Sequence, residues 1–386
     1  MKLFYDYQIF EHQKYGGISR YYYELLKGIE SSKDTQFLLP LLKSDNHYLS
    51  QMPSIASQLK GSSDFYKKFM WGIEFPGKWL LYKQRNKYFP QFISENRKHT
   101  INALKNQAFD IFHPTDLDDY FLEYIGSRPF VVTVHDMIDE YFPEYSFHVH
   151  STYKTSVKER LINKAAGIIA VSESTKAFLL QRFSIQENKI RVIYHGYSEL
   201  SNSADLSKPI IDGEYLLFVG KRVHYKNFYF LLQCIKPLLK KYPDLKIVCV
   251  GSPFNTTEKD YLIDLGLDGN VFHVNADDST LGNLYCFAKA FVYPSLQEGF
   301  GMPILEAFNY NCPVLLSDNS SLPEVAGDAA LYFNAKDISS VQQAILKILT
   351  DTKLRDQLIE KGRDRLKLFS WQNTVNQTLD FYRSLL

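Results

Sequence analysis

Apolar positions along the chain fall into two alternating patterns. Short runs of β-branched and aromatic residues are followed by longer stretches in which apolar residues recur every three or four positions. That alternation predicts strands and helices in succession, an α/β fold with parallel sheets. In the first half the runs place strands at residues 2–5, 37–40, 109–113, 130–135, 167–171 and 190–193, with helices opening at Gly17 and after Ser172. A polar stretch, 197–213, reads as a linker. The pattern then restarts, with strands at 215–219, 246–250, 271–274, 290–293 and 313–316 and helices at 228–242, 280–288 and 303–310. Three helical segments, 338–349, 351–368 and 371–386, close the chain. At 386 residues the chain is long for one core. Two Rossmann-like domains, 1–200 and 210–370, with a cleft between them are the expected architecture.

The most specific chemistry lies where the 290–293 strand gives way to a helix. Residues 293–306 read Tyr-Pro-Ser-Leu-Gln-Glu-Gly-Phe-Gly-Met-Pro-Ile-Leu-Glu. Proline suits the first helical turn, whose N–H groups have no partner within the helix. Just ahead of it Gly299, Phe300, Gly301 and Met302 can offer free amides, an anion site made of backbone and helix dipole. Glu298 before the turn and Glu306 one turn into the helix can both reach the same pocket. A phosphate cradle flanked by carboxylates suits a nucleotide-sugar.

Other groups gather at strand ends. After the 215–219 strand comes Gly220-Lys221-Arg222-Val223-His224-Tyr225-Lys226, at the sheet edge where open α/β sheets bind ligands. Arg222 and Lys226 could neutralise a diphosphate there. Gly16-Gly17 opens the first helix, where glycine lets backbone approach a ligand. His135 ends the strand Val132-Thr133-Val134; taken alone, such a histidine is more often structural. Ser172 is an N-cap candidate. No Gly-x-Gly-x-x-Gly follows either first strand, which argues against a dinucleotide-dependent dehydrogenase.

Glu298-Gly-Phe-Gly-x-Pro with Glu306 resembles the Glu-x7-Glu signature of retaining glycosyltransferases of family 4. The Gly-Gly loop, His135-Asp136, Ser172-Glu173 and Gly-Lys-Arg…Lys-Asn occur in the family's order. The resemblance implies the GT-B fold and a metal-independent, retaining transfer of a hexose from a UDP- or GDP-sugar to a glycan or lipid-linked acceptor hydroxyl, as in polysaccharide or lipopolysaccharide assembly. It implies that Glu298, Arg222, Lys226 and His135 serve the reacting sugar and diphosphate. Gly16, Gly17, Glu306, Gly299, Phe300, Gly301, Met302 and Val274 would hold the donor, Val274 at the level of the base. It also leads one to expect helix 371–386 to cross back onto the first domain. No cofactor and no metal are expected: no His/Cys cluster has ligand spacing, and Asp116-Leu117-Asp118 reads as a chance match to the Asp-x-Asp of a different glycosyltransferase fold. A sugar-nucleotide epimerase or phosphorylase of the same fold is the alternative within the resemblance.

Composition narrows the partners. With 44 basic and 43 acidic residues, no global field favours nucleic acid. Residues 60–98 differ from the rest, carrying nine basic and three acidic residues interleaved with Phe, Tyr and Trp. Such a segment suits an anionic membrane surface and reads equally as a solvated insertion packed on its parent domain. A non-enzymatic, membrane-associated binding module would use this segment alone. No apolar run is long enough to span a bilayer, and the N-terminus turns polar too soon for a signal peptide. The expected location is cytoplasmic, or peripheral on the inner face of the cell membrane. Cys234, Cys249, Cys286 and Cys312 lie in apolar patterns and read as buried thiols.

Overall fold

A computed structural model describes residues 1–61, 94–143, 151–198 and 205–386. Most of the basic, aromatic segment at 60–98 therefore lies outside the described residues. The parallel α/β architecture expected from the pattern is what the chain adopts. In the first half β1 (Lys2–Tyr5), β2 (Gln36–Leu38) and β3 (Ile111–His113) pair in the order β2-β1-β3. The strands β4 (Val131–Val134), β5 (Gly167–Ala170) and β6 (Ile190–Val192) pair in the order β4-β5-β6. A single parallel bridge, Phe112 to Phe130, joins the two sets into one run of six strands.

The second half holds β7 (Tyr215–Val219), β8 (Lys246–Val250), β9 (Val271–Val274), β10 (Ala290–Tyr293), β11 (Val314–Ser317) and β12 (Leu331–Phe333). They form one six-stranded sheet in the order β12-β11-β10-β7-β8-β9, every pair parallel. Side chains alternate to opposite faces along β7: Tyr215 and Leu217 enter one core, Leu216 and Phe218 the other. Strands buried on both faces need apolar residues at every position, which is why the central strands β7, β8, β10 and β11 read so clearly.

These strand orders decide where ligands can go. In the second half the chain runs β7-β8-β9 outward, then returns to place β10 on the other side of β7. In the first half the same reversal falls between β1 and β3. At such a switch point the loops leaving adjacent strands diverge and open a crevice at their carboxyl ends.

The last helix, Trp371–Arg383, leaves the second half and packs on the helix Gly17–Glu30. Its Val375, Leu379, Phe381 and Tyr382 belong to the first half's core. Close approach requires glycine at the contact: a Cβ on Gly28 would stand 2.4 Å from Val375 Cγ2. Tyr382 Oη then meets Tyr5 Oη at 2.8 Å and His113 Nδ1 at 2.5 Å, pinning the helix to β1 and β3. Cys234, Cys249 and Cys312 are buried free thiols; Cys286 is only partly buried, a departure from the expectation for it, because it sits at the end of the helix Asp278–Phe287.

Candidate active site

The loop after β10 runs over residues 294–301 and enters the helix Met302–Asn309, with Pro303 in the first turn. Gly301 supplies the left-handed corner at φ +108°, which disfavours any residue with a Cβ. The helix buries Ile304, Leu305, Ala307 and Phe308, which fixes its N-terminus at the crevice. Among the described residues, the amides of Gly299, Phe300, Gly301 and Met302 donate to no acceptor outside the helix's own bonds. Buried or half-buried N–H groups of that kind require a partner, and an anion supplies one.

Glu298 and Lys226 form a nearly buried ion pair, Nζ to Oε1 2.6 Å, and Lys226 also donates to Tyr293 Oη at 2.8 Å. The loop after β7 thus meets the loop after β10 at the switch point. Of the adjacent Lys221 and Arg222, Arg222 turns inward while Lys221 is exposed. Arg222 donates to both carboxylate oxygens of Glu258, Nε at 2.7 Å and Nη2 at 3.1 Å, and to the carbonyl of Ser252 at 2.6 Å. Burial would raise the Glu258 carboxyl, but the bonds from Arg222 and from the Asn255 amide, with the charge of Arg222, together outweigh that and hold it below its ordinary range. Both cations named from the sequence therefore carry a carboxylate partner. Arg222 Nη1 is buried and has no acceptor among the described residues, leaving one donor uncommitted. Glu306 accepts from Tyr285 Oη at 3.1 Å. Burial pushes its carboxyl up, and Arg20 from the first half pulls the other way. Val274 ends β9, half-buried, beside His273, whose Nε2 lies 2.8 Å from the Gly251 carbonyl.

From the first half, His135 follows β4 directly. Its Nε2 is buried with no hydrogen-bond partner among the described residues, and Tyr21, Tyr22 and His195 pack around the ring. Burial, helped by His113, pushes the imidazole down to about 3, so it is neutral at working pH. The backbone of His135 reaches the glutamate loop itself: a Cβ on Gly299 would lie 1.7 Å from the His135 carbonyl oxygen. Ser172 caps the helix Glu173–Arg182 by accepting from Thr175 N, and it also donates to the Gly299 carbonyl at 2.7 Å. Gly16 is the N-cap of the helix Gly17–Glu30, and Gly17 stands in open space with nothing within 4 Å of where its Cβ would be.

Below His135 a cavity of about 540 Å³ opens at the β1/β3 switch point. Gln8, His12, Asp116, Asp118, Asp136 and Lys158 are among its lining. Asp116 pairs with His12 at 3.3 Å and Asp118 with Arg97 at 3.2 Å. No group of three or more metal-ligating side chains is placed to hold an ion among the described residues. Tyr285, Glu258, Ser320 and Ser321 escaped the sequence reading, and Tyr293 figures in it only as the end of a strand. Only Glu258 carried a signal, the Asn255-x-x-Glu258 spacing of a capping box.

Two parallel sheets whose carboxyl-end loops meet, with paired charges at one switch point and a cavity at the other, define the GT-B class. The comparisons with known proteins agree. Residues 15–199 match the family described as Glycosyltransferase Family 4, and residues 207–365 match Glycosyl transferases group 1. The chain belongs to the family 4 glycosyltransferases. It is 27% identical over 386 residues to O-antigen chain mannosyltransferase B of Escherichia coli, spanning 96% of both chains. It is 28% identical over 242 residues to the capsular polysaccharide biosynthesis glycosyltransferase CapM of Staphylococcus aureus, covering 58% of this chain and 62% of that one. Among solved structures, sucrose-phosphate synthase from Thermosynechococcus elongatus superposes with a TM-score of 0.74 at 17% identity, covering 100% of this chain and 98% of that one. HepE of Anabaena, solved with UDP and glucose, superposes with a TM-score of 0.71 at 16% identity, with full coverage of both chains. Among the described residues, no helix is long and apolar enough to cross a membrane.

Proposed function

We propose that this glycosyltransferase moves a hexose, with retention of configuration, from a nucleotide-diphosphate sugar to a hydroxyl of a growing surface glycan. The observation that carries the reading is the 294–301 loop. Four amides there donate to no acceptor among the described residues, and the loops at the same switch point carry the Lys226–Glu298 pair and Arg222, whose buried Nη1 has no partner either. In this reading the second half, residues 210–370, is the donor domain. Its amides, Arg222 and Lys226 take the diphosphate, Glu306 accepts from ribose hydroxyls, Glu298 orients the sugar, and the end of β9 at Val274 meets the base. The first half, residues 1–200, supplies the acceptor cavity, the Gly16-Gly17 loop, and His135, whose neutral ring offers Nε2 to a sugar hydroxyl. Mannose is the favoured unit because several relatives are named as mannosyltransferases.

The C1–oxygen bond to the diphosphate breaks while the acceptor oxygen bonds C1 on the same face. The acceptor's proton passes to the departing phosphate oxygen, so no enzyme nucleophile is required. Positive charge held at the leaving diphosphate matters more as that bond lengthens. The test is a thermal-shift panel of GDP-mannose, UDP-glucose and other nucleotide sugars on wild type and Glu306→Gln. One nucleotide class should stabilise the wild type and not the variant. Product anomers read by NMR should match the donor; an inverted anomer defeats the mechanism, and no shift with any donor defeats the assignment of the site.

A further inference from the structure

The turn between β11 and β12 holds two things at once. On one side it fixes the glutamate loop: Ser320, at φ +54°, accepts from Glu298 N at 3.0 Å, and Ser321 Oγ donates to the carbonyls of Phe300 at 2.9 Å and Glu298 at 3.2 Å. On the other side Glu324, in the short helix Leu322–Ala326, reaches into the first half. Its two carboxylate oxygens accept from the amides of Glu173 at 2.6 Å and Ser174 at 3.1 Å. Those residues open the helix Glu173–Arg182. The first amides of a helix have no partner within it and stand at the positive end of its dipole, so a two-pronged carboxylate is their complement. Arg365 donates to the carbonyls of Glu324 at 2.6 Å and Val325 at 2.9 Å, holding the short helix in place. Beside this contact Ser172, the cap of the same first-half helix, bonds the Gly299 carbonyl.

We propose that Glu324 is a positioning residue for glycosyl transfer. Its carboxylate latches the first-half helix Glu173–Arg182 to the second half and, through the shared turn, seats the 294–301 loop against His135. The inference rests on reading that loop as the donor cradle. Glu324 joins the halves, and its hydrogen bonds are with the amides of Glu173 and Ser174 and with Arg365 rather than with Lys226, Arg222, Glu298 or Glu306. Its removal therefore lowers the fraction of enzyme with an assembled cleft and leaves the donor's own contacts in place.

The test compares Glu324→Ala and Glu324→Gln with wild type in the full chain, by steady-state kinetics and by hydrogen exchange. Glu324→Ala should lower kcat by about tenfold while the donor KM stays within about twofold. Glu324→Gln, with one acceptor oxygen and no charge, should fall between. Amides of residues 173 and 174 should exchange faster in both variants, with melting temperatures close to wild type. Unchanged kcat in both variants overturns the proposal, as does a kcat loss matched by an equal loss of donor affinity, which marks a merely structural role. Exchange needs no donor: if wild type binds no nucleotide-sugar, the functional reading fails, and unaltered exchange at 173 and 174 still counts against the latch on its own.

Discussion

The two faces of the cleft handle polarity in opposite ways. The second half carries its chemistry as formal charge in close pairs, Lys226 with Glu298 and Arg222 with Glu258. The first half has charge pairs at its cavity, His12 with Asp116 and Arg97 with Asp118, but around His135 it carries neutral rings: His113, His135 and His195 are all driven toward the uncharged form, chiefly by burial, among tyrosines. Buried charge is tolerable only when paired, and an arriving diphosphate can take over one member of each pair. Neutral imidazole and phenol groups instead suit hydroxyls, which bring no charge to offset. The contrast fits a donor phosphate site on one face and a sugar site on the other. Four experiments can break or sharpen it.

The largest effect should come from Gly299→Ala, where the faces touch. A methyl there collides with the His135 carbonyl oxygen, and backbone cannot yield as a flexible side chain can. The loop must withdraw by an ångström or so, a displacement that costs about 100-fold in rate for a positioned reaction. Donor affinity should change far less, because the amides and charges of the second half stay together. Equal transfer rates for Gly299→Ala and wild type would mean that the halves need not meet there.

Next is Lys226→Met, which strands a nearly buried Glu298 carboxylate. Removing one member of such a pair costs about 3 kcal/mol of stability, read as a lower denaturant midpoint. Adding Glu298→Gln should recover most of that stability and none of the activity. Recovery of both would make the pair structural and weaken the charged-face side of the comparison.

How legible these faces were from sequence differs by half. Residue-for-residue agreement at β7, β8 and β10 arose because strands covered on both sides leave unbroken apolar runs with polar ends; the edge strand β9 agreed as well, although its Phe272 is exposed. The three-residue strands β2, β3, β6 and β12 carry too short a signal to fix their ends, and β12 escaped notice. The helix Thr256–Leu265 was hidden because its Ile263 is exposed and Glu258 is buried, the reverse of what an amphipathic pattern predicts. Glycine and glutamate spacing exposed the 294–306 loop because its chemistry is local. Glu324, Tyr293 and Ser172's bond to Gly299 act across gaps of 67 to 151 residues, and no spacing rule reaches that far. His113 was passed over because its environment comes from Tyr382, at the other end of the chain.

The neutral face has its own signature in pH. Burial pushes His113 from 6.5 down to about 3, so the folded state binds its proton much less readily than the unfolded chain. Its contribution to stability is complete above pH 6.5 and is lost as pH falls toward 3, at about 1.4 kcal/mol per pH unit. Asp136 and Glu306 oppose this, since burial raises their carboxyls and protonation relieves the folded state. A difference measurement cancels them. His113→Gln should be less stable than wild type at pH 7.5, yet lose stability more slowly between pH 6 and 4. Parallel curves would mean that His113 is charged in the folded protein, and that the first half's face is not neutral.

The smallest expected effect is the most discriminating. Gly17 begins the helix at the cleft, and no atom of the described residues lies near where its Cβ would be. Alanine there should therefore be neutral or stabilising by about 0.5 kcal/mol, because it restricts the unfolded chain. Gly16→Ala is different, since its Cβ would stand 2.1 Å from Gln13 Oε1, so that variant confounds packing with function. If the sugar approaches the backbone at Gly17, its alanine variant should melt at or above the wild-type temperature and still transfer several-fold more slowly, with the loss carried in the reaction of bound sugar. A Gly17→Ala enzyme as fast as wild type would move the sugar away from this loop. The neutral face would then rest on His135 and the aromatic groups around it.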